Sequence, residues 1–132
     1  MPKTTAFANE IVNAFLRNVA PSIPATCYVA LFTADPTAAG LVTNEVAAST
    51  GYARAAATFS AASGGATANT GAITFGPDSG TNWGTVTHFA LCKGGTRAVA
   101  DLMYTQALTA SQAVVIGESG GFAIGAITLT ES

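Results

Sequence analysis

Gly117-Glu118-Ser119-Gly120-Gly121 satisfies the G-x-S-x-G pattern, and His88 and Asp101 precede it in the order His, Asp, Ser. Acyl transfer by serine needs these residue types: a hydroxyl that attacks, an imidazole that takes its proton, and an acid that holds the imidazole. The local context points elsewhere. His88 lies inside the apolar run Val86–Cys92, and strand-like residues follow Ser119 where a hydrolase elbow would need a helix. Gly117, Gly120 and Gly121 read as a turn that supplies positive φ between two strands.

The same run is similar to the nucleophile region of trypsin-like proteases, whose site lies between two β-barrels; this chain has length for one. His88 is the only histidine, and Cys27 and Cys92 lack C-x-x-C spacing. Period-2 geometry puts His88 on a strand face with Val86, Ala90 and Cys92, which is too few ligands for a closed metal site. Asp78-Ser79-Gly80-Thr81-Asn82 is rich in oxygen ligands but lacks the distal Glu and acidic alternation of a calcium loop, so it reads as a turn. No catalytic residue, cofactor site or metal site is expected. Both cysteines are expected to be reduced, buried small hydrophobes, although spacing alone also permits a disulfide. Trp83 is either a core anchor or a subunit contact. Trp83, Tyr52 and Tyr104 are also the aromatic platforms on which a host-surface glycan would stack, if one is bound.

The whole composition favours contact over chemistry. Of 132 residues, 49% are hydrophobic and 9% charged, against about 25% charged in an average domain. The surface must be built from Ser, Thr, Gly, Asn and Ala, which resists association weakly. Lys3, Arg17, Arg54, Lys93 and Arg97 are scattered, apart from Lys93 and Arg97 near one turn, and the net charge is −2. Nucleic-acid binding needs a clustered basic surface, so it is not expected. Neither a secretory signal nor a membrane span is expected. Met1–Ala8 holds no apolar run, and the uncharged stretch Asn18–Ala34 is broken by Pro21 and Pro24.

The elements that would position these residues are mostly strands. A helix is predicted over 4–19: Thr4 or Thr5 caps it, and Phe7, Ile11, Phe15 and Val19 recur at helical spacing with Ala8, Val12 and Leu16. Pro21 and Pro24 end it. Phe7, Ile11 and Phe15 are expected to be buried, against the chain's own sheet or a neighbouring subunit. Strands are expected at Cys27–Thr33, Tyr52–Phe59, Ala72–Phe75, Val86–Cys92, Val99–Thr105, Ala113–Ile116 and Phe122–Thr130. Loops are expected at Thr37–Gly51 and Ser60–Thr70, and a hairpin turn at Lys93–Thr96. Cys27–Thr33 is apolar on both faces, as a central strand is. Residues 1–132 therefore form a single domain, with a β part over 26–130. It is a β-sandwich or small barrel of about six to seven antiparallel strands with one N-terminal amphipathic helix.

The ordered blocks Phe7–Arg17, Tyr28–Thr33 with Asp35-Pro36, Gly51-Tyr52-Ala53-Arg54, Ile73-Thr74-Phe75, Trp83–Ala90 and Gly125–Leu129 span nearly the whole chain. In them the chain resembles a family of short tailed-phage virion proteins, often labelled small tail fibre or structural proteins. The resemblance implies a non-enzymatic role in a phage particle assembled in the bacterial cytoplasm, with Trp83 and His88 as fold-defining residues. At Leu91-Cys92-Lys93 the chain departs from the Asp-rich approach to a turn that the resemblance implies. Small size, low charge and the β fold favour a capsid decoration or cement protein. The alternatives are a small tail or neck fibre or adaptor, and a carbohydrate-binding sandwich on the virion. The expected partners are copies of the chain and the major capsid protein, or tail and neck proteins. Phe7, Ile11, Phe15, Tyr52 and Trp83 are the candidate interface residues.

Overall fold

A computed structural model of the chain describes residues 1–47, 51–76, 82–114, 120–123 and 125–131. The elements are α1 (Thr5–Arg17), β1 (Cys27–Phe32), β2 (Ala55–Ala57), β3 (Ala66–Ala68), β4 (Ile73–Phe75), β5 (Gly84–Cys92), β6 (Leu102–Val114), β7 (Gly120–Phe122) and β8 (Thr128–Thr130). Short 3-10 turns lie at Val42–Asn44 and Val99–Asp101. The fold is mainly β, antiparallel and sandwich-like, without a closed barrel.

β1 is apolar on both sides because it is an interior strand of a four-stranded sheet, order β2-β1-β5-β6, covered on both faces. On one face Val29, Leu31, Phe89, Leu91 and Tyr104 pack against Ile73, Phe75 and Ile127, which come from the pair β4–β7 and from beside the pair β3–β8. On the other, Ala30, Phe32, Ala90, Cys92 and Leu102 form a second cluster, with Val42 from the Pro36–Val46 loop packed on it. Cys27 belongs to the first cluster and Cys92 to the second. Neighbouring positions in the β1–β5 register thus point to opposite faces, and both cysteines are free thiols.

Several local expectations are corrected. The register of β5 on β6 breaks between Val86 and His88. As a result Val86 shares its cluster with Phe89 and Leu91, and not with Ala90 and Cys92. Ser60–Thr70 is not a bare loop: Ala66–Ala68 pairs with Thr128–Thr130, and Asn69 is buried, holding Ile127 N–H through its Oδ1 at 2.9 Å. Tyr52–Phe59 forms a strand only at Ala55–Ala57, and Phe122–Thr130 divides into the end of β7 and β8. Ala113 belongs to the long β6. Gly120 and Gly121 lie in β7, and Gly121 is needed for close approach: a Cβ there would sit 2.6 Å from the Ile73 carbonyl oxygen.

α1 starts where Thr4 Oγ1 accepts the Phe7 N–H at 3.3 Å and donates to the Leu102 carbonyl at 2.6 Å, joining helix and sheet at one side chain. It ends before the prolines. Asn18 adopts a left-handed conformation (φ 55°), and its N–H and that of Val19 both turn back to the Asn13 carbonyl. Phe7 packs edge-on against Tyr104 at 5.2 Å, and Glu10 pairs with Lys93. Phe15 is not buried in this chain. It lies on the side of α1 turned from the sheet.

Candidate functional site

A buried polar cluster that the motifs of the sequence do not announce gathers around Glu45. Glu45 and Arg54 have side chains 0% exposed and meet in a two-point pair, with Arg54 Nη2 to Glu45 Oε1 at 2.7 Å and Nε to Oε2 at 2.9 Å. Tyr52 donates its hydroxyl to Oε2 at 2.8 Å and accepts the Leu31 N–H at 3.0 Å. Burial, and then the Glu45 charge, push that hydroxyl above the ordinary tyrosine range. Arg54 also reaches the Gly94 carbonyl at 3.1 Å, and Arg97 bonds the Val42 and Glu45 carbonyls. The cluster ties β1, the loop before Tyr52 and the β5–β6 connection to one carboxylate. Both carboxylate oxygens are engaged, so the arrangement holds structure and offers no spare base. A signal for it existed. Glu45 is the only charge between Asp35 and Arg54, and Tyr52 and Arg54 stand two apart on an extended segment.

The residues expected to carry chemistry are not brought together. His88 is half-buried in β5, with Nδ1 2.8 Å from Thr87 Oγ1. Asp101 lies beyond the far end of the same strand, beside Lys93 and Gly94. The five residue steps from His88 to Lys93 span roughly 16 Å of strand. Ser119, with Gly117 and Glu118, lies outside the described residues, as do Asp78 to Thr81. No group of three metal-ligating side chains occurs among the described residues. A cavity of about 190 Å³ between β6 and β7, lined by Phe89, Phe122, Ile127, Met1 and Gln106 among others, holds no carboxylate, histidine or cysteine.

Two expected interface residues belong to the core. Tyr52 and Trp83 are each 4% exposed, and their rings meet edge-on at 5.6 Å. Tyr104 is buried too, under Phe7. None of the three offers a ring face for a glycan. Phe7 and Ile11 are half-buried on the sheet side of α1. Phe15, in contrast, is 83% exposed and Leu16 80%. Val12 is exposed on the same helix, and Val19 and Ile23 are exposed on the segment that follows it, where the Ser22 N–H bonds Glu10 Oε1 at 3.1 Å. Arg17, the one charge between residues 12 and 23, folds back to Asn13 Oδ1 at 3.2 Å. Among the described residues, five of the seven large exposed hydrophobics fall between residues 12 and 23.

No curated protein matches the chain. The family described as "Podophage GP4 fiber I protein gp80" matches residues 2–130. That span takes in the capped helix, the eight strands among the described residues and the buried Glu45–Arg54 pair. The chain therefore belongs to the podophage GP4 fiber I protein gp80 family, whose description makes it a structural component of a phage particle.

Proposed function

We propose that this protein is a small fibre-type component of a phage tail or neck, and that it works by contact with neighbouring virion proteins and not by catalysis. The observation that carries the reading is the family match over 2–130, whose description is of a fibre. The exposed apolar side chains of α1, Val12, Phe15 and Leu16, support a role in contact. The buried carboxylate, with both oxygens engaged, supports the non-catalytic part. Quantitative mass spectrometry of purified particles, with the major capsid protein as internal standard, tests the location. A few to a few dozen copies per particle are expected, and hundreds of copies would assign the chain to head decoration. A serine-reactive phosphonate tests the chemistry. The particle-derived protein should stay unlabelled, and labelling abolished by both Ser119→Ala and His88→Ala would restore an enzymatic reading.

A further inference from the structure

We infer that residues 2–23 form a detachable arm, and that two copies of this chain join by laying each arm on the other's β6. The bonds of the segment divide into two sets. Past the Asn18 cap the chain stays with its own helix: the Val19 N–H reaches the Asn13 carbonyl at 3.1 Å, and the Ser22 N–H reaches Glu10 Oε1 at 3.1 Å. Residues 15–23 are all exposed, and among the described residues no hydrogen bond or ion pair ties residues 18–24 to the sheet. The second set fastens the arm to its seat. The Thr105 N–H bonds the Pro2 carbonyl at 3.0 Å and the Thr4 N–H bonds the Met103 carbonyl at 2.9 Å, so residues 2–4 add a short strand to the outer edge of β6. Thr4 Oγ1 donates to the Leu102 carbonyl, the Thr5 N–H bonds the Ala38 carbonyl at 2.8 Å, and Phe7 covers Tyr104. Lys3 pairs with Glu131 and Glu10 with Lys93, so a plus and then a minus along the arm meet a minus and a plus in the seat.

Thr4 is the only buried residue of the arm, so lifting the arm away takes no buried apolar side chain out of the core. What it leaves behind is an open stretch of strand edge at residues 103–105, and an open edge is a template for another strand. A second copy is the partner that fits, because it carries the same short strand, the same Thr4 hydroxyl and the same order of charges. An exchanged arm makes the bonds of a closed one, so the cost of exchange is that of association. The connector has the reach. Pro21 and Pro24 bias Ala20 and Ile23 to extended backbone. Drawn straight, residues 18–26 span roughly 30 Å, about twice the radius of gyration of roughly 14 Å expected for a domain of this length. Copies held side by side raise the local concentration of arms, which moves the balance from closed to exchanged.

The test uses the purified full chain, so it stands apart from where on the particle the protein sits. Two charge-reversed chains are made. One carries Lys3→Glu with Glu10→Lys, in the arm, and the other carries Lys93→Glu with Glu131→Lys, in the seat. Alone, each variant sets its arm against like charge in its own seat. Mixed, each arm meets opposite charge only on the other chain. Refolded together from urea at high concentration, the mixture should give a heterodimer at least about tenfold in excess over the homodimer of either variant alone, read by native mass spectrometry. Circular dichroism of each variant alone checks that the sheet has formed. In a second measurement, light and isotopically heavy copies of the unaltered chain are refolded together at high concentration and should give dimers of mixed mass that persist on dilution. An unaltered chain that stays monomeric overturns the inference. So does a charge-reversed mixture with no more dimer than its components, or a dimer indifferent to the reversals.

Discussion

Glu45 and Arg54 form a pair whose removal and whose replacement have opposite outcomes. With both side chains fully buried, Glu45→Gln leaves the Arg54 charge without its carboxylate, and breaking such pairs costs about 3–5 kcal/mol. Urea unfolding should show that loss. The double variant Glu45→Leu with Arg54→Met should recover much of it, because two apolar side chains leave no stranded charge. The thiols give a second residue-scale expectation. Burial pushes Cys92 up to about 12 and also raises Cys27. Both stay protonated near neutral pH, and the thiolate is the reactive form. A maleimide titration of the native chain at pH 8 should therefore leave Cys92 unmodified and label half-exposed Cys27 slowly. Unfolding in urea should release both to rapid labelling, and the opposed faces should prevent a disulfide between them in the native chain.

Within α1, two phenylalanines on different sides of the helix should behave differently. Phe7 lies half-buried against the Tyr104 ring with Lys93 Nζ 5.8 Å from its own ring, so Phe7→Ala should destabilise by about 1–3 kcal/mol, less than a fully buried ring. Phe15→Ala should leave the stability of the monomeric chain within about 0.5 kcal/mol, as at other exposed sites. Chemical denaturation at low protein concentration checks both. The contrast also marks what periodicity conveys. It conveys the helix and its apolar residues, and residue type narrows the cap to Thr4 or Thr5, but apolar residues covered by the sheet and apolar residues left exposed are written in the same residue types. The long apolar strands β1 and β5 were equally legible. β3 was not, because Ala66-Thr67-Ala68 is short and weakly apolar, and its partner Thr128–Thr130 lies some 60 residues away, beyond any local pattern. The face of Val86 was misread because a break in register leaves no trace in composition.

For the whole molecule, the two ends of the described chain meet on one strand. Pro2 to Thr4 run beside Met103 to Thr105, Lys3 Nζ lies 2.5 Å from Glu131 Oε1, and the Tyr104 hydroxyl bonds the other Glu131 oxygen. Lys3, and then Tyr104, hold the Glu131 carboxyl below the usual carboxylate range. A folded-state value below the unfolded one, about 4.3, stabilises above that pH and is lost as pH falls through the lower folded value. Burial and Glu131 raise the Tyr104 hydroxyl, so its contribution is complete below about pH 10 and disappears as pH rises towards the folded value. Melting temperature against pH should therefore fall below roughly pH 4.5, and Glu131→Gln should flatten that limb. The candidate site was legible only in part at this scale. The block Gly51-Tyr52-Ala53-Arg54 contains two members of the buried cluster, but the acid that joins them, Glu45, lies in a segment without periodicity, and only tertiary structure reveals the pairing.

Because Lys3 and Glu131 touch, the stretch from residue 3 to residue 131 nearly closes a ring, and the order in which it is read is not what specifies its shape. A gene permuted to begin at Ala62 and end at Ala61, two exposed residues, with the former ends joined by a few glycines, should encode the same sheet and the same buried carboxylate. Circular dichroism and the melting curve of such a protein should match those of the parent. Any cargo fused at the new ends would then emerge near the β3–β8 pair, a few residues from Gly65, whose carbonyl accepts the Glu131 N–H.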